Sequence, residues 1–173
     1  VLMVDSPLIS GWRATTVGMA KRTQVVGSVS PGRVSRLRRN SWASTEEAFE
    51  HFHKKKAFVR WDPQVLRDYV THGLYDEEDR RVLAFDRAVE SDIYNTMPHH
   101  LGSLLRKHPL RCPAAFIGGR ASAELKQVGM ALAQQVTQDR ISMVDGSHLF
   151  PMEKPKMTAA AIEASLLNLA SLT

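Results

Sequence analysis

The chain opens on Val1-Leu2-Met3-Val4, an unbroken apolar run closed by Asp5-Ser6-Pro7. This is the pattern of a buried strand that ends in a loop, with an acid at its carboxyl end. With no Met or lead-in loop ahead of it, the chain reads as though it starts inside a strand. Residues 8–24 mix Trp12 and Met19 with Arg13, Lys21 and Arg22 at loosely helical spacing, which predicts an amphipathic helix. Gly27-Ser28-Val29-Ser30-Pro31-Gly32 is turn-rich, and the basic run Arg33, Arg36, Arg38 and Arg39 follows it. Ser44-Thr45-Glu46-Glu47 is a capping box, in which the Ser44 hydroxyl takes the Glu47 amide and the Glu47 carboxylate reaches back to the cap amide. The helix it starts carries Ala48, Phe49 and Phe52 on one face. A second start lies at Trp61-Asp62-Pro63, with Val65, Leu66, Tyr69 and Val70 as the apolar stripe and Gly73 as the stop. The tract Asp76 to Asp79 predicts an exposed turn, and Arg81 to Phe85 a short extended piece. Residues 88–107 carry Val89, Ile93, Met97, Leu101 and Leu104 at helical spacing but are interrupted by Pro98, so two helices or one kinked helix are expected.

From Cys112 onward the pattern changes. Cys112 to Gly119 is an apolar run ending in a glycine turn, residues 122–136 read as a helix, Ile141-Ser142-Met143-Val144 as a strand, and residues 158–171 as a closing helix rich in alanine and leucine. Strand, helix, strand, helix is the order of a parallel sheet, because parallel neighbours need crossover connections. The fold class is therefore α/β: a few parallel strands at the two ends of the chain, flanked by helices, with a largely helical insertion between them that holds almost no strand.

Composition narrows the functional classes. The 173 residues are 43% hydrophobic and 24% charged, proportions of a packed domain rather than a disordered or fibrous chain. No window supplies the ~18 apolar residues of a membrane span. The single cysteine, Cys112, leaves no internal disulfide framework and no cysteine-based zinc site, and makes a reducing compartment, the cytoplasm, the expected location. Net charge is +5, yet residues 1–60 carry +7 and residues 61–173 carry −2, so the basicity is local. The Arg33 to Arg39 run lacks aromatic interleaving and any nucleic-acid motif, so it reads as a solvated face paired with carboxylates and no nucleic-acid partner is expected. The histidines at 51, 53, 72, 99, 100 and 108 lack convergent metal-ligand spacing, and neither a metal nor a cofactor is implied.

Reactive groups in open α/β sheets collect beyond the carboxyl ends of the strands. Asp5 follows the first strand, and His148 follows the last in Gly146-Ser147-His148-Leu149-Phe150-Pro151-Met152-Glu153. A histidine in a tight loop can take a proton from a nucleophile, and a carboxylate can fix its tautomer. The other reading of His148 is a hydrogen-bonded structural residue, that of Asp5 a turn former bonding the backbone two residues on, and Glu153 reads as capping or orienting the loop. Cys112, at the opposite end of its strand from His148, reads as packing.

The segment GSHLFPMEKP resembles the histidine loop of the α/β-hydrolase superfamily, VLMVDSP resembles the strand that follows the nucleophile strand and helix, and residues 8–107 resemble the helical lid inserted after it. The organisation so implied is a core strand with its acid loop at 1–7, a lid at 8–107 and a C-terminal core segment at 108–173. The resemblance implies that His148 is the general base. It leaves three acids, with Asp5 favoured over Glu124, which follows the strand ending at Gly119, and Glu90 third. The chain has no Gly-x-Ser-x-Gly elbow, so the resemblance places the nucleophile and oxyanion donors before Val1, in a missing N-terminal half of the fold. The expected activity of the complete protein is serine-type hydrolysis of an ester, thioester or similar small apolar substrate. The isolated chain is expected to be inactive. If the missing nucleophile is Asp, epoxide or halide chemistry follows instead. A non-catalytic ligand- or partner-binding module of the same fold is the alternative, and phosphate or nucleic-acid binding by the arginine run ranks last.

Overall fold

The computed structural model describes residues 1–6, 8, 31–96 and 100–172. The predicted helix over 8–24 and the turn beginning at Gly27 lie outside the described residues, apart from Leu8, Pro31 and Gly32. The chain divides into two compact units, residues 1–18 with 98–173, and residues 19–97.

The first unit begins with strand β1 (Leu2–Val4). In the second unit, α1 (Pro31–Leu37) and β2 (Ser41–Trp42) precede α2 (Thr45–His53) and α3 (Pro63–His72). The cap of α2 forms nearly as the box predicts: the Ser44 hydroxyl accepts the Glu47 N–H at 3.1 Å, but the Glu47 carboxylate takes the Ala43 N–H at 2.6 Å, one residue earlier than expected. That bond, with Arg39 at 2.6 Å, holds the Glu47 carboxyl below its ordinary pKa. Asp62 caps α3 by accepting the Gln64 N–H at 2.8 Å.

The expectation of an almost strand-free insertion is overturned. A hairpin of β3 (Leu74–Glu77) and β4 (Arg80–Leu83) pairs antiparallel and adds β2, giving the order β2-β4-β3. Only Glu78 and Asp79 form the turn, with Glu78 at φ +51°. Asp76 and Glu77 belong to a solvent-facing strand, where acidic side chains cost nothing and Asp76 pairs with Arg81 at 2.8 Å. Charge in that tract masked the first strand of a hairpin whose inward residues, Leu74 of β3 and Leu83 of β4, are buried. They join Trp42, Ala48, Phe52, Leu66 and Val70 in one core, ringed by Phe49, Phe58, Trp61 and Tyr69. The rings interlock, with Phe58–Trp61 centroids at 4.6 Å and Phe52–Phe58 at 4.8 Å. The arginine run meets carboxylates here, Arg38 on Glu90 at 3.3 Å and Arg39 on Glu47. Helix α4 (Arg87–Thr96) ends the unit's described part.

The first unit resumes with α5 (Leu101–Lys107). Strand β5 (Ala115–Gly119) starts three residues later than Cys112, and Cys112 is exposed ahead of it rather than packed as its opening residue. The helix expected over 122–136 is two, α6 (Ala123–Val128) and α7 (Ala131–Thr137), because Gly129 takes φ +82° as the cap between them. After β6 (Ile141–Val144) come the single turn α8 (Phe150–Glu153) and α9 (Pro155–Ala170), which starts earlier than expected because Pro155 fits a first helical turn. The sheet is parallel in the order β1-β5-β6. Central β5 is buried throughout, as its uniformly apolar sequence requires. Phe116 packs on Leu125 and Ala133 of α6 and α7, while Ile117 meets Phe150 and Ile162 of α8 and α9. No described helix is long and apolar enough to cross a membrane.

One consequence is testable in the second unit. His51 sits against Trp42 with its Nε2 buried and without a hydrogen-bond partner, and burial together with Lys55 and Arg39 lowers its pKa. The unfolded chain then binds the proton more readily than the folded one, so stability is full above the ordinary histidine pKa and declines as pH falls through it. Urea unfolding between pH 7.5 and 5 is expected to show this decline, and His51→Gln is expected to flatten it.

Candidate active site

Strands β1, β5 and β6 all point the same way, so the loops after them meet at one end of the sheet. Asp5 stands at the end of β1 with φ +43°, a left-handed conformation that Asp tolerates better than most residues. Its N–H donates to the Ile117 carbonyl at 2.7 Å, which continues the β1–β5 ladder for one more bond and aims the side chain across β5. The carboxylate is 1% exposed and accepts three hydrogen bonds. Oδ1 takes the Gly119 N–H at 2.7 Å, and Oδ2 takes the Ser122 hydroxyl at 2.7 Å and lies 2.7 Å from His148 Nδ1. A turn-forming role two residues on is closed to Asp5, since Pro7 has no N–H to give.

The histidine loop is held from below. Glu153 accepts the Ser147 N–H at 3.0 Å and the Ser147 hydroxyl at 2.6 Å, so its role is to orient the loop, as its place in the sequence suggested. The Ser147 hydroxyl in turn accepts the Leu149 N–H at 3.1 Å, and Phe150 beneath it is fully buried. The glycine turn after β5 lies against this loop: Arg120 N–H bonds the Val144 carbonyl and Ala121 N–H the Gly146 carbonyl, both at 2.9 Å. Gly119 has to be glycine for this approach, because a Cβ there would lie 2.4 Å from the Ser147 carbonyl oxygen. Gly146 adopts φ +149°, and a Cβ on it would lie 2.5 Å from that of Phe150.

The arrangement fixes a tautomer. As a carboxylate Asp5 can only accept, so the proton of the contact sits on His148 Nδ1, which leaves Nε2 as the outward nitrogen of the ring. The His148 side chain is 37% exposed while its partner is sealed, so one ring edge is anchored and the other can reach a reactant.

Of the three acids weighed from sequence, Asp5 alone contacts His148 among the described residues. Glu124 stands at 3.4 Å from the Ser122 hydroxyl, and Glu90 belongs to the second unit, where Arg38 engages it. Ser122 and Gly119 escaped the sequence reading. Ser122 carried a visible signal as a helix cap, and its oxygen does accept the Leu125 N–H at 3.2 Å. Nothing in the sequence indicates that its hydroxyl proton goes to an acid 117 positions away. Among the described residues no group of three or more His, Cys, Asp and Glu is placed to hold a metal ion.

Asp5→Ala is expected to cost about 3 kcal/mol in urea unfolding, since it leaves the buried Gly119 N–H and Ser122 hydroxyl unpaired. Asp5→Asn, which keeps an acceptor, should cost clearly less. Gly119→Ala is expected to push the loop at 146–147 aside, read as a shift of the His148 imidazole resonances.

No protein-family model matches the sequence, and no curated protein matches it. Solved structures do match. The peroxisomal α/β-hydrolase Lpx1 of Saccharomyces cerevisiae superposes with a TM-score of 0.66 at 17% identity, over 82% of this chain and 40% of that one. E-2-(acetamidomethylene)succinate hydrolase gives 0.61 at 14% identity, over 95% of this chain and 57% of that one. A thioesterase domain from the curacin biosynthetic pathway gives 0.61 at 12% identity, over 95% and 56%. The chain thus spans about half the length of the solved structures it matches. Parallel strands, crossover helices and loops converging at one sheet end, together with these superpositions, identify the fold as that of the α/β-hydrolases, present here in part.

Proposed function

We propose that Asp5 and His148 are the acid and base of a hydrolase triad whose nucleophile and oxyanion donors lie outside these 173 residues. The observation that carries the reading is the 2.7 Å contact between a sealed carboxylate and Nδ1 of a half-exposed histidine at the carboxyl ends of parallel strands. In this scheme His148 Nε2 takes the proton of a serine hydroxyl as the oxygen attacks an ester or thioester carbonyl, and then gives it to the leaving group. In the second half it takes a proton from water as the water oxygen attacks the acyl-enzyme carbonyl, and returns that proton to the departing serine oxygen, which restores the free hydroxyl. Asp5 keeps Nδ1–H in place throughout and stabilises the imidazolium formed in each half. If an aspartate is the nucleophile, the histidine has only the water to activate, and the substrate is an epoxide or halide. Residues 8–107 serve as the lid region that the family resemblance implies. The substrate is a small apolar molecule, and the single cysteine fits a reducing compartment such as the cytoplasm.

The 173-residue chain alone is expected to show no His148-dependent hydrolysis of p-nitrophenyl butyrate, and such turnover would overturn the placement of the nucleophile. In a polypeptide extended to include a nucleophile, His148→Ala is expected to lower kcat by about 10,000-fold. Unchanged turnover there would remove His148 from the chemistry, whereas no turnover by the extended polypeptide before any substitution would favour the non-catalytic binding module.

A further inference from the structure

A half-open cleft of about 670 Å³ lies at the other end of the parallel sheet. Its walls come from the segment leading into β5, from α5 and α7, and from the residues just before β6. Since β5 runs five residues, about 17 Å of strand separates this cleft from the loop that carries His148. Its volume is that of a small-molecule site.

The chemistry of the lining is one-sided. Arg106, Arg111 and Arg140 contribute three guanidiniums, and no aspartate or glutamate is among the described lining residues. The sequence has no acidic residue from 93 to 123, so the imbalance is built into the chain around the cleft. Asp139 adjoins Arg140 but is exposed and outside the lining. Arg140 is held in place: its guanidinium donates to the Thr137 carbonyl at 3.0 Å and to the Gln138 side-chain oxygen at 3.3 Å. It therefore presents its charge without first losing rotamer freedom, the condition under which a guanidinium binds best. Arg106 and Arg111 are exposed, where their guanidinium N–H groups can turn to a ligand. Leu105, Leu110 and Leu132 line the same space and offer an apolar surface next to the charge.

We infer that this cleft binds a small amphipathic anion, its carboxylate or phosphate head against Arg106, Arg111 and Arg140 and its apolar body over the leucines. Guanidiniums recognise either head group through paired N–H donors, and the leucines exclude inorganic phosphate as the full ligand. The site does not depend on the assignment of Asp5 and His148.

Cys112 lines the cleft and is the chain's single cysteine, so its labelling by a thiol reagent reports on this place alone. Labelling of the protein is to be followed with decanoate or decyl phosphate below their micellar concentrations. Decanol, inorganic phosphate and vesicles of anionic phospholipid serve as the other arms. Decanoate or decyl phosphate is expected to slow labelling saturably, by about threefold or more, and Arg106→Gln with Arg111→Gln to raise the half-saturating concentration about tenfold. Both substitutions are at exposed positions, and matching circular dichroism of the variant confirms that it is folded. No slowing, equal slowing by decanol, or protection that the variant retains overturns the inference. Protection by vesicles alone assigns the charge to a lipid surface and overturns it equally.

Discussion

One buried carboxylate holds the carboxyl end of the first unit together. Asp5 receives a donor from the end of β5, one from the cap of α6 three residues later and one from the loop after β6, so the segments at 119–122 and 148 both meet the end of β1 on two oxygens. Sealing an ionised group from water is costly unless hydrogen bonds replace its hydration, and here three do. The same bonds leave the acid no freedom to rotate. The histidine inherits that rigidity through Nδ1, while the remainder of its ring stays accessible.

The loops around this carboxylate are close because their backbones touch. Gly119 and Gly146 remove the side chains that would separate the turn after β5 from the turn after β6, and the N–H groups of Arg120 and Ala121 bond across the gap. Glu153 performs for Ser147 what Asp5 performs for His148, an acceptor brought from a neighbouring segment to fix a loop. A site assembled this way is positioned by main-chain geometry, which tolerates little change at the two glycines and much more at exposed Arg120 or Asp145. The second unit obtains its order differently, from an aromatic core under a short antiparallel sheet, with ion pairs at its edges.

Much of this was legible in the order of residues. Apolar runs ending in Asp5 and in the Gly146-Ser147-His148 turn marked strands with reactive ends, and Ser44 and Asp62 marked helix starts through hydrogen bonds that reach only two or three residues. Local rules succeed where the partners are local. They failed for β3, because an outward-facing strand can carry Asp76 and Glu77 as readily as a turn can. They also failed at Gly129, where one left-handed residue divides a helix that periodicity alone makes continuous.

The sequence by itself determined the class of fold and the candidate pair, since strand alternation and the glycine turn around the histidine are written in consecutive residues. Which of Asp5, Glu124 and Glu90 lies against His148 was visible only in tertiary structure. So was the pairing of Ser122 and Gly119 with that acid, and the gathering of Arg106, Arg111 and Arg140 around one cleft. Each depends on which strands lie side by side, and strand neighbours are set by the burial of both faces of β5, a property of the packed sheet that no short stretch of sequence contains.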